Sequence, residues 1–204
     1  MALHVPVYCI CGASAAGKST FAAAISDQLQ HRGIRALLIA CDDYYKNDWV
    51  PHPVFGFDTI DAIDANQLCA DLRGAASKSI AQLRCYDMRK RQVGQRSIDS
   101  DYDLILVEGS YGPQQLLEHF NFANLIYVDE TLLHRLIRRF RRDVKERHRT
   151  PQYVLRQMFW EMIPGERTFI NPLREKADLI VKNTDAGVEL LLKRIEDALK
   201  FIPG

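Results

Sequence analysis

Residues 12–19 read Gly12-Ala13-Ser14-Ala15-Ala16-Gly17-Lys18-Ser19 and satisfy the pattern G-x-x-x-x-G-K-[ST] at every fixed position. Upstream lies a short apolar run of strand type, Val5-Pro6-Val7-Tyr8-Cys9-Ile10-Cys11. Downstream, residues 20–31 carry Phe21, Ala24, Ile25 and Leu29 at helical spacing. Strand, glycine-rich loop and helix in that order bring successive backbone N–H groups and the positive end of a helix onto one anion. Lys18 is then placed for the β- and γ-phosphates, and the Ser19 hydroxyl for Mg²⁺. A nucleoside triphosphate is therefore expected on Gly12, Ala13, Ser14, Ala15, Ala16, Gly17, Lys18, Ser19 and Thr20.

The loop does not say what is done with the phosphate, so the rest of the chain must. At 204 residues the chain is long enough for one domain with a sizeable core, and residues 1–204 are read as that domain. Hydrophobic residues make up 47% and charged residues 26%, an ordinary soluble composition, and a net charge of +1 argues against a chain-wide nucleic-acid binder. The five cysteines are odd in number and form no C-x-x-C pair; most lie in apolar runs, which suits buried thiols in a reducing cytoplasm. The first residues lack the basic and apolar regions of a signal peptide, and no apolar run approaches the ~20 residues that span a bilayer. A cytoplasmic protein without a membrane partner is expected.

Residues 35–41 read as a buried strand that runs into Asp42-Asp43-Tyr44-Tyr45-Lys46. Ligand crevices of open α/β sheets lie beyond the carboxyl ends of strands. Carboxylates there are candidates for metal binding or proton abstraction, against the plainer role of capping a helix. Residues 47–60 form a loop whose Trp49, Phe55 and Phe57 either cover the core or wall a ligand site. Asp61 is the expected cap of a helix through Leu72, with Ile63, Leu68 and Leu72 inward. Residues 79–98 read as a hairpin, in which Arg89-Lys90-Arg91 is a solvated turn or an anion contact.

Residues 103–109 make a continuous apolar run, as in a parallel strand covered on both faces. It ends in Glu108-Gly109, the place for a carboxylate that holds Mg²⁺ directly or through water. Residues 125–129 and 178–182 read as further strands. Residues 185–201 read as a closing helix with Val188, Leu191, Leu192, Ile195 and Leu199 at core spacing.

Residues 135–149 hold eight Lys or Arg against two acids. On a helical wheel Leu133, Ile137, Phe140 and Val144 form one stripe, with Arg135, Arg138, Arg139 and Arg142 opposite. A solvated amphipathic helix and a surface patch for nucleic acid are the competing readings. Arginine rather than lysine favours planar bidentate contacts to phosphoryl oxygens. In a chain with a phosphate loop this predicts a lid over about residues 131–165, neutralising charge that develops in phosphoryl transfer.

Taken together, these motifs resemble the uridine kinase family of P-loop kinases, from about Val7 to Asn183. The combination that carries the resemblance is Asp42-Asp43-Tyr44-Tyr45, Phe57-Asp58, Tyr86-Asp87, Glu108-Gly109, the arginine block, Phe169-Ile170-Asn171-Pro172 and Ala177-Asp178. The arginine block is close to the family's R-L-x-R-R-x-x-R-D-x-x-E-R-x-R. The resemblance implies Asp42 as general base on a nucleoside 5′-hydroxyl, close to the metal, and Glu108 binding Mg²⁺ with Ser19. It implies Tyr45, Phe57 and Tyr86 around the base and Asp58 on the ribose hydroxyls. Arg139, Arg149 and Gln157 fall at nucleoside-binding positions, and Arg142 and Arg147 at lid positions on the phosphates. Two departures stand out: Thr59-Ile60 replace the family's common His-Pro, and Arg91 stands by count where a histidine commonly helps read the pyrimidine edge.

The expected fold is α/β, a doubly wound parallel sheet of P-loop NTPase type with a hairpin and an arginine-rich helical lid. The expected activity is transfer of the γ-phosphoryl group of ATP, with GTP as the other candidate donor, to the 5′-hydroxyl of uridine or cytidine. Other acceptors on the same scaffold are a phosphorylated sugar, pantothenate or nicotinamide riboside. A nucleotide-dependent regulatory module is the alternative of another class. The partner is a small molecule, without nucleic acid, and the resembled family includes homo-oligomers.

Overall fold

The computed structural model describes residues 5–200. Five strands form one parallel sheet: β1 (Val7–Gly12), β2 (Ala36–Ala40), β5 (Leu104–Gly109), β6 (Asn124–Val128) and β7 (Leu179–Val181), in the order β2-β5-β1-β6-β7. Between β2 and β5 in sequence, β3 (Gln82–Asp87) and β4 (Gln92–Ser97) make a separate antiparallel hairpin. Helices α1 (Lys18–His31) and α8 (Thr184–Lys200) cover one face of the sheet. α2 (Ala65–Ala76) and the short α3 (Pro113–Leu116) cover the other.

The two central strands are buried along nearly their whole length because alternate residues serve opposite cores. Cys9, Cys11, Ile105 and Val107 pack with Leu68 and Leu72 of α2. Tyr8, Ile10, Leu104 and Leu106 pack with Phe21, Ile25 and Leu29 of α1 and Leu191, Leu192 and Ile195 of α8. Register places the functional ends level: Ile10 and Ala40 both pair with Glu108. The phosphate loop after β1, the Asp42 turn after β2 and Glu108 near the end of β5 therefore emerge on one edge. Gly12 is required at that edge, since its φ is +143° and a Cβ would meet the Val128 carbonyl oxygen at 2.5 Å.

Local expectations shift at two places. α1 begins at Lys18 rather than Thr20, with Gly17 as N-cap at φ +99°. α2 is capped by Asp64 and not by Asp61: the Asp64 side chain accepts from the Gln67 N–H at 3.1 Å. Ile63 is held in an antiparallel bridge to Tyr45, and the helix cannot start until that bridge ends. Residue 201 of the closing helix lies outside the described residues.

The arginine block forms α4 (Leu132–Lys145), but its inward face is the reverse of an apolar stripe. Arg135, Arg139 and Asp143 are buried, whereas Leu133 and Ile137 are exposed. Only Leu136, Phe140 and Val144 find apolar partners, in a satellite core with Val154, Met158 and Met162. Those partners belong to a continuous helical run over residues 151–176, which contains α5 (Pro151–Gln157), α6 (Ile163–Gly165) and α7 (Asn171–Lys176). Two π-type stretches, Met158–Met162 and Glu166–Ile170, separate them.

The run packs against the loop at residue 58 without room for a side chain. A Cβ on Gly165 would sit 2.2 Å from the Asp58 carbonyl oxygen and 2.8 Å from the Tyr111 hydroxyl. Gly165→Ala is expected to destabilise the protein by about 1–3 kcal/mol, as overpacking does. A thermal melt reads it directly, and an unchanged midpoint would show that this contact yields freely.

Candidate active site

A cleft of about 400 Å³ opens on the edge where the strands end. Its floor is the phosphate loop. Ser14, Ala15, Gly17, Lys18, Ser19 and Thr20 line it, whereas Gly12, Ala13 and Ala16 do not. Lys18 is buried and its ammonium donates to the Ala13 carbonyl at 3.0 Å and to the Ser110 hydroxyl at 2.7 Å. Burial lowers its pKa, while Glu108 and Asp42 nearby act in the opposite sense. Ser19 donates to Glu108 at 2.8 Å. Burial raises the Glu108 pKa, against the pull of Lys18.

Ser19 and Glu108 supply hard oxygen donors, and Asp42 lines the same cleft. Such a set suits Mg²⁺, which keeps several waters and takes few protein ligands alongside phosphate oxygens. No group of three or more His, Cys, Asp or Glu that could hold a metal occurs among the described residues. A softer metal with an all-protein cage is therefore not what these residues build.

The adjacent carboxylates at the end of β2 divide their work. Asp42 is exposed to the cleft. Asp43 faces the hairpin, where it accepts the Tyr86 N–H at 3.0 Å. Arg84 of β3 reinforces that junction: it donates to the carbonyls of Asp43 and Tyr45 and pairs with Asp64 at 3.2 Å. The hairpin is thus bolted to the turn that carries Asp42, which positions Tyr86 relative to it.

Tyr45, Phe57, Asp58, Tyr86, Arg91 and Gln157 line the far side of the cleft. Tyr45 and Tyr86 lie 6.2 Å apart at a 39° tilt. The Arg91 guanidinium sits 4.7 Å from the Phe57 ring centroid. Asp58 is buried and both of its oxygens accept from Arg139, at 3.0 and 3.1 Å. Burial by itself would lower the Arg139 pKa, but Asp58 beside it carries the guanidinium above its ordinary value. Arg139 also donates to the Ser14 hydroxyl at 3.0 Å, so one side chain joins the phosphate loop to the far side of the cleft. Arg149 donates to the Gln157 side-chain amide oxygen, Oε1, at 3.0 Å.

Arg139, Arg142, Arg147 and Arg149 all line the cleft, as does Arg138. Three residues that sequence reasoning did not single out organise this arrangement. Ser110 holds Lys18 and directly follows the Glu108-Gly109 pair, which was its only signal. Glu166 accepts from the Ser14 N–H at 3.1 Å and from Arg135 at 2.7 and 2.8 Å, locking α4 and the helical run onto the phosphate loop. Nothing near Glu166 in sequence marks it. Asp143 lies inside the arginine block and is fully buried.

A phosphate loop on a central parallel strand, acidic strand ends beside it and an arginine-bearing helix across the cleft define a P-loop small-molecule kinase. The family model described as "Phosphoribulokinase / Uridine kinase family" matches residues 7–187, and the chain belongs to that family. It is 31% identical over 197 residues to a uridine kinase of Staphylococcus epidermidis, covering 92% of this chain and 93% of that protein. It is 29% identical over 203 residues to a uridine kinase of Lactobacillus johnsonii, covering 95% of each. The fold is similar to that of a possible uridine kinase from Bacillus stearothermophilus, with a TM-score of 0.63 at 20% identity over 88% of this chain and 89% of that one. It is also similar to phosphoribulokinase from Rhodobacter spheroides, with a TM-score of 0.60 at 18% identity over 92% and 75%. No helix among the described residues is long and apolar enough to cross a membrane.

Proposed function

We propose that the protein transfers the γ-phosphoryl group of Mg·ATP to the 5′-hydroxyl of a pyrimidine nucleoside in the cytoplasm, with Asp42 as general base. The observation that carries this reading is the placement of Asp42: a carboxylate exposed in the cleft, on the same edge as Lys18 and the Ser19–Glu108 pair. The uridine kinases at about 30% identity supply the acceptor class.

Bound Mg²⁺ would draw charge from the phosphate oxygens, and Ser19 and Glu108 would hold it. The chain's own residues do the remainder. Lys18 reaches the phosphates from a buried ammonium fixed by Ser110 and the Ala13 carbonyl. Asp42 orients the acceptor hydroxyl and takes its proton. Arg142 and Arg147 neutralise the charge spread over the transferring group. Tyr45, Tyr86 and Phe57 flank the base, while Asp58, held by Arg139, presents its edge to the ribose.

The test is ADP release with Mg·ATP against uridine, cytidine, nicotinamide riboside, pantothenate and sugar phosphates. Turnover on uridine or cytidine supports the reading; silence on both rejects the pyrimidine acceptor. Arg91 favours a second reading on the same scaffold, an anionic acceptor. Its guanidinium stacks on Phe57 in the cleft and has no hydrogen-bond acceptor among the described residues. Under that reading a sugar phosphate turns over and Arg91→Ala raises its KM by about tenfold or more, the worth of one charge-assisted hydrogen bond. An unchanged KM rejects it.

A further inference from the structure

Asp143 is wholly buried, yet it touches no reacting group and no phosphate-loop residue. It is surrounded by arginines. Its Oδ1 accepts from Arg142 Nε at 3.1 Å and lies 3.4 Å from Arg147. Its Oδ2 lies 3.5 Å from Arg149 and 3.8 Å from Arg139 Nε. Its carbonyl oxygen accepts the Arg149 N–H at 3.0 Å, which folds the end of the lid helix back onto itself.

These four cations belong to two halves of the cleft. Arg142 sits in the electrostatic field of Lys18, and Arg147 in that of Arg142, Asp143, Arg149 and Asp42, between the two halves. Arg139 and Arg149 point the other way, to Asp58 and Gln157. One carboxylate serves both pairs, one oxygen to each. Four guanidinium groups around a single buried carboxylate leave an excess of positive charge that favours an incoming anion.

Asp143 Oδ2 and Arg139 Nε are both buried and neither has a hydrogen-bond partner among the described residues. At 3.8 Å they are a small shift short of a hydrogen bond. Phosphoryl oxygens that draw Arg142 and Arg147 away from Oδ1 free the carboxylate to rotate toward Arg139. Closing that bond stiffens Arg139 and, through its bidentate pair, Asp58.

We infer that Asp143 is a positioning residue that couples nucleotide binding to the ordering of the acceptor side of the cleft. Such coupling is reciprocal: an acceptor that fixes Arg139 and Arg149 tightens nucleotide binding by the same factor. The inference needs only nucleotide binding and stands whatever the acceptor proves to be.

The experiment is hydrogen exchange read by mass spectrometry on the full chain, with and without the non-hydrolysable ATP analogue AMP-PNP and Mg²⁺. Wild type is expected to gain protection in the phosphate loop and also in residues 55–60 and 149–157. Asp143→Asn removes the charge, and Asp143→Glu keeps it but moves the oxygens by a methylene. Each is expected to keep protection of the phosphate loop and to lose it in the two distant segments. A circular dichroism melt checks each fold; if Asp143→Asn does not fold, Asp143→Glu decides. A direct route also exists, from Ser14 through Arg139 to Asp58. If a folded variant retains wild-type protection at residues 55–60 and 149–157, that route suffices and the inference is overturned. Absence of distant protection in wild type overturns it as well.

Discussion

Asp42→Asn is expected to lower kcat by about 10²–10⁴-fold, the usual worth of a general base, while Mg·ATP binding stays close to wild type. In barrier terms that is about 3–5 kcal/mol. Asparagine has nearly the shape of aspartate and can still orient a hydroxyl, but it cannot take the proton. The neighbouring carboxylate provides the contrast. Asp43 accepts the Tyr86 N–H and does not line the cleft. Asp43→Ala should therefore loosen the hairpin, raising acceptor KM and lowering the melting temperature, with a smaller loss in kcat. Steady-state kinetics on both variants separate the roles. Near-wild-type kcat for Asp42→Asn on every accepted substrate would falsify the general-base assignment.

Arg142→Ala carries the second large effect. An arginine that neutralises the transferring phosphoryl group contributes about 10³–10⁵-fold to kcat. Arg142 is half-buried, lines the cleft and is held at Asp143 by its Nε. Arg141, one residue earlier, is exposed and does not line the cleft. A loss of about 10³-fold is expected for Arg142→Ala and little change for Arg141→Ala. Because both substitutions remove one positive charge from α4, the pair distinguishes a placed guanidinium from general basicity. Equal losses in the two variants would reject the lid assignment.

Arg141 and Arg142 also show where sequence reading stops. Eight cations in fifteen residues announced an anion-facing helix. A helical wheel placed Leu133 and Ile137 on one side and the arginines on the other, without saying which side turns inward. In an ordinary amphipathic helix the apolar stripe is buried. Here Arg135 and Arg139 are buried instead, because Glu166 and Asp58 supply carboxylates that no local pattern connects to the helix. Asp58 lies 81 positions from Arg139 and Glu166 31 positions from Arg135, separations at which period and propensity carry no information.

The same boundary runs through the aspartate pair. Two acids at a strand end mark a site, but only the docked hairpin decides that Asp43 binds Tyr86 and Asp42 faces the cleft. Asp61 is a comparable case, since a bridge between Tyr45 and Ile63 delays the helix to an Asp64 cap.

Local sequence by itself determined the phosphate loop, the parallel strands, the acidic strand ends and the arginine helix. Each depends on neighbours within a few residues: glycine dihedrals, alternating burial, helical spacing. Tertiary structure alone decided which carboxylate meets which cation. A buried charge needs a partner of opposite sign, and folding brings Asp58 to Arg139 and Glu166 to Arg135 from distant segments, whereas Asp143 meets its four arginines within its own stretch of chain.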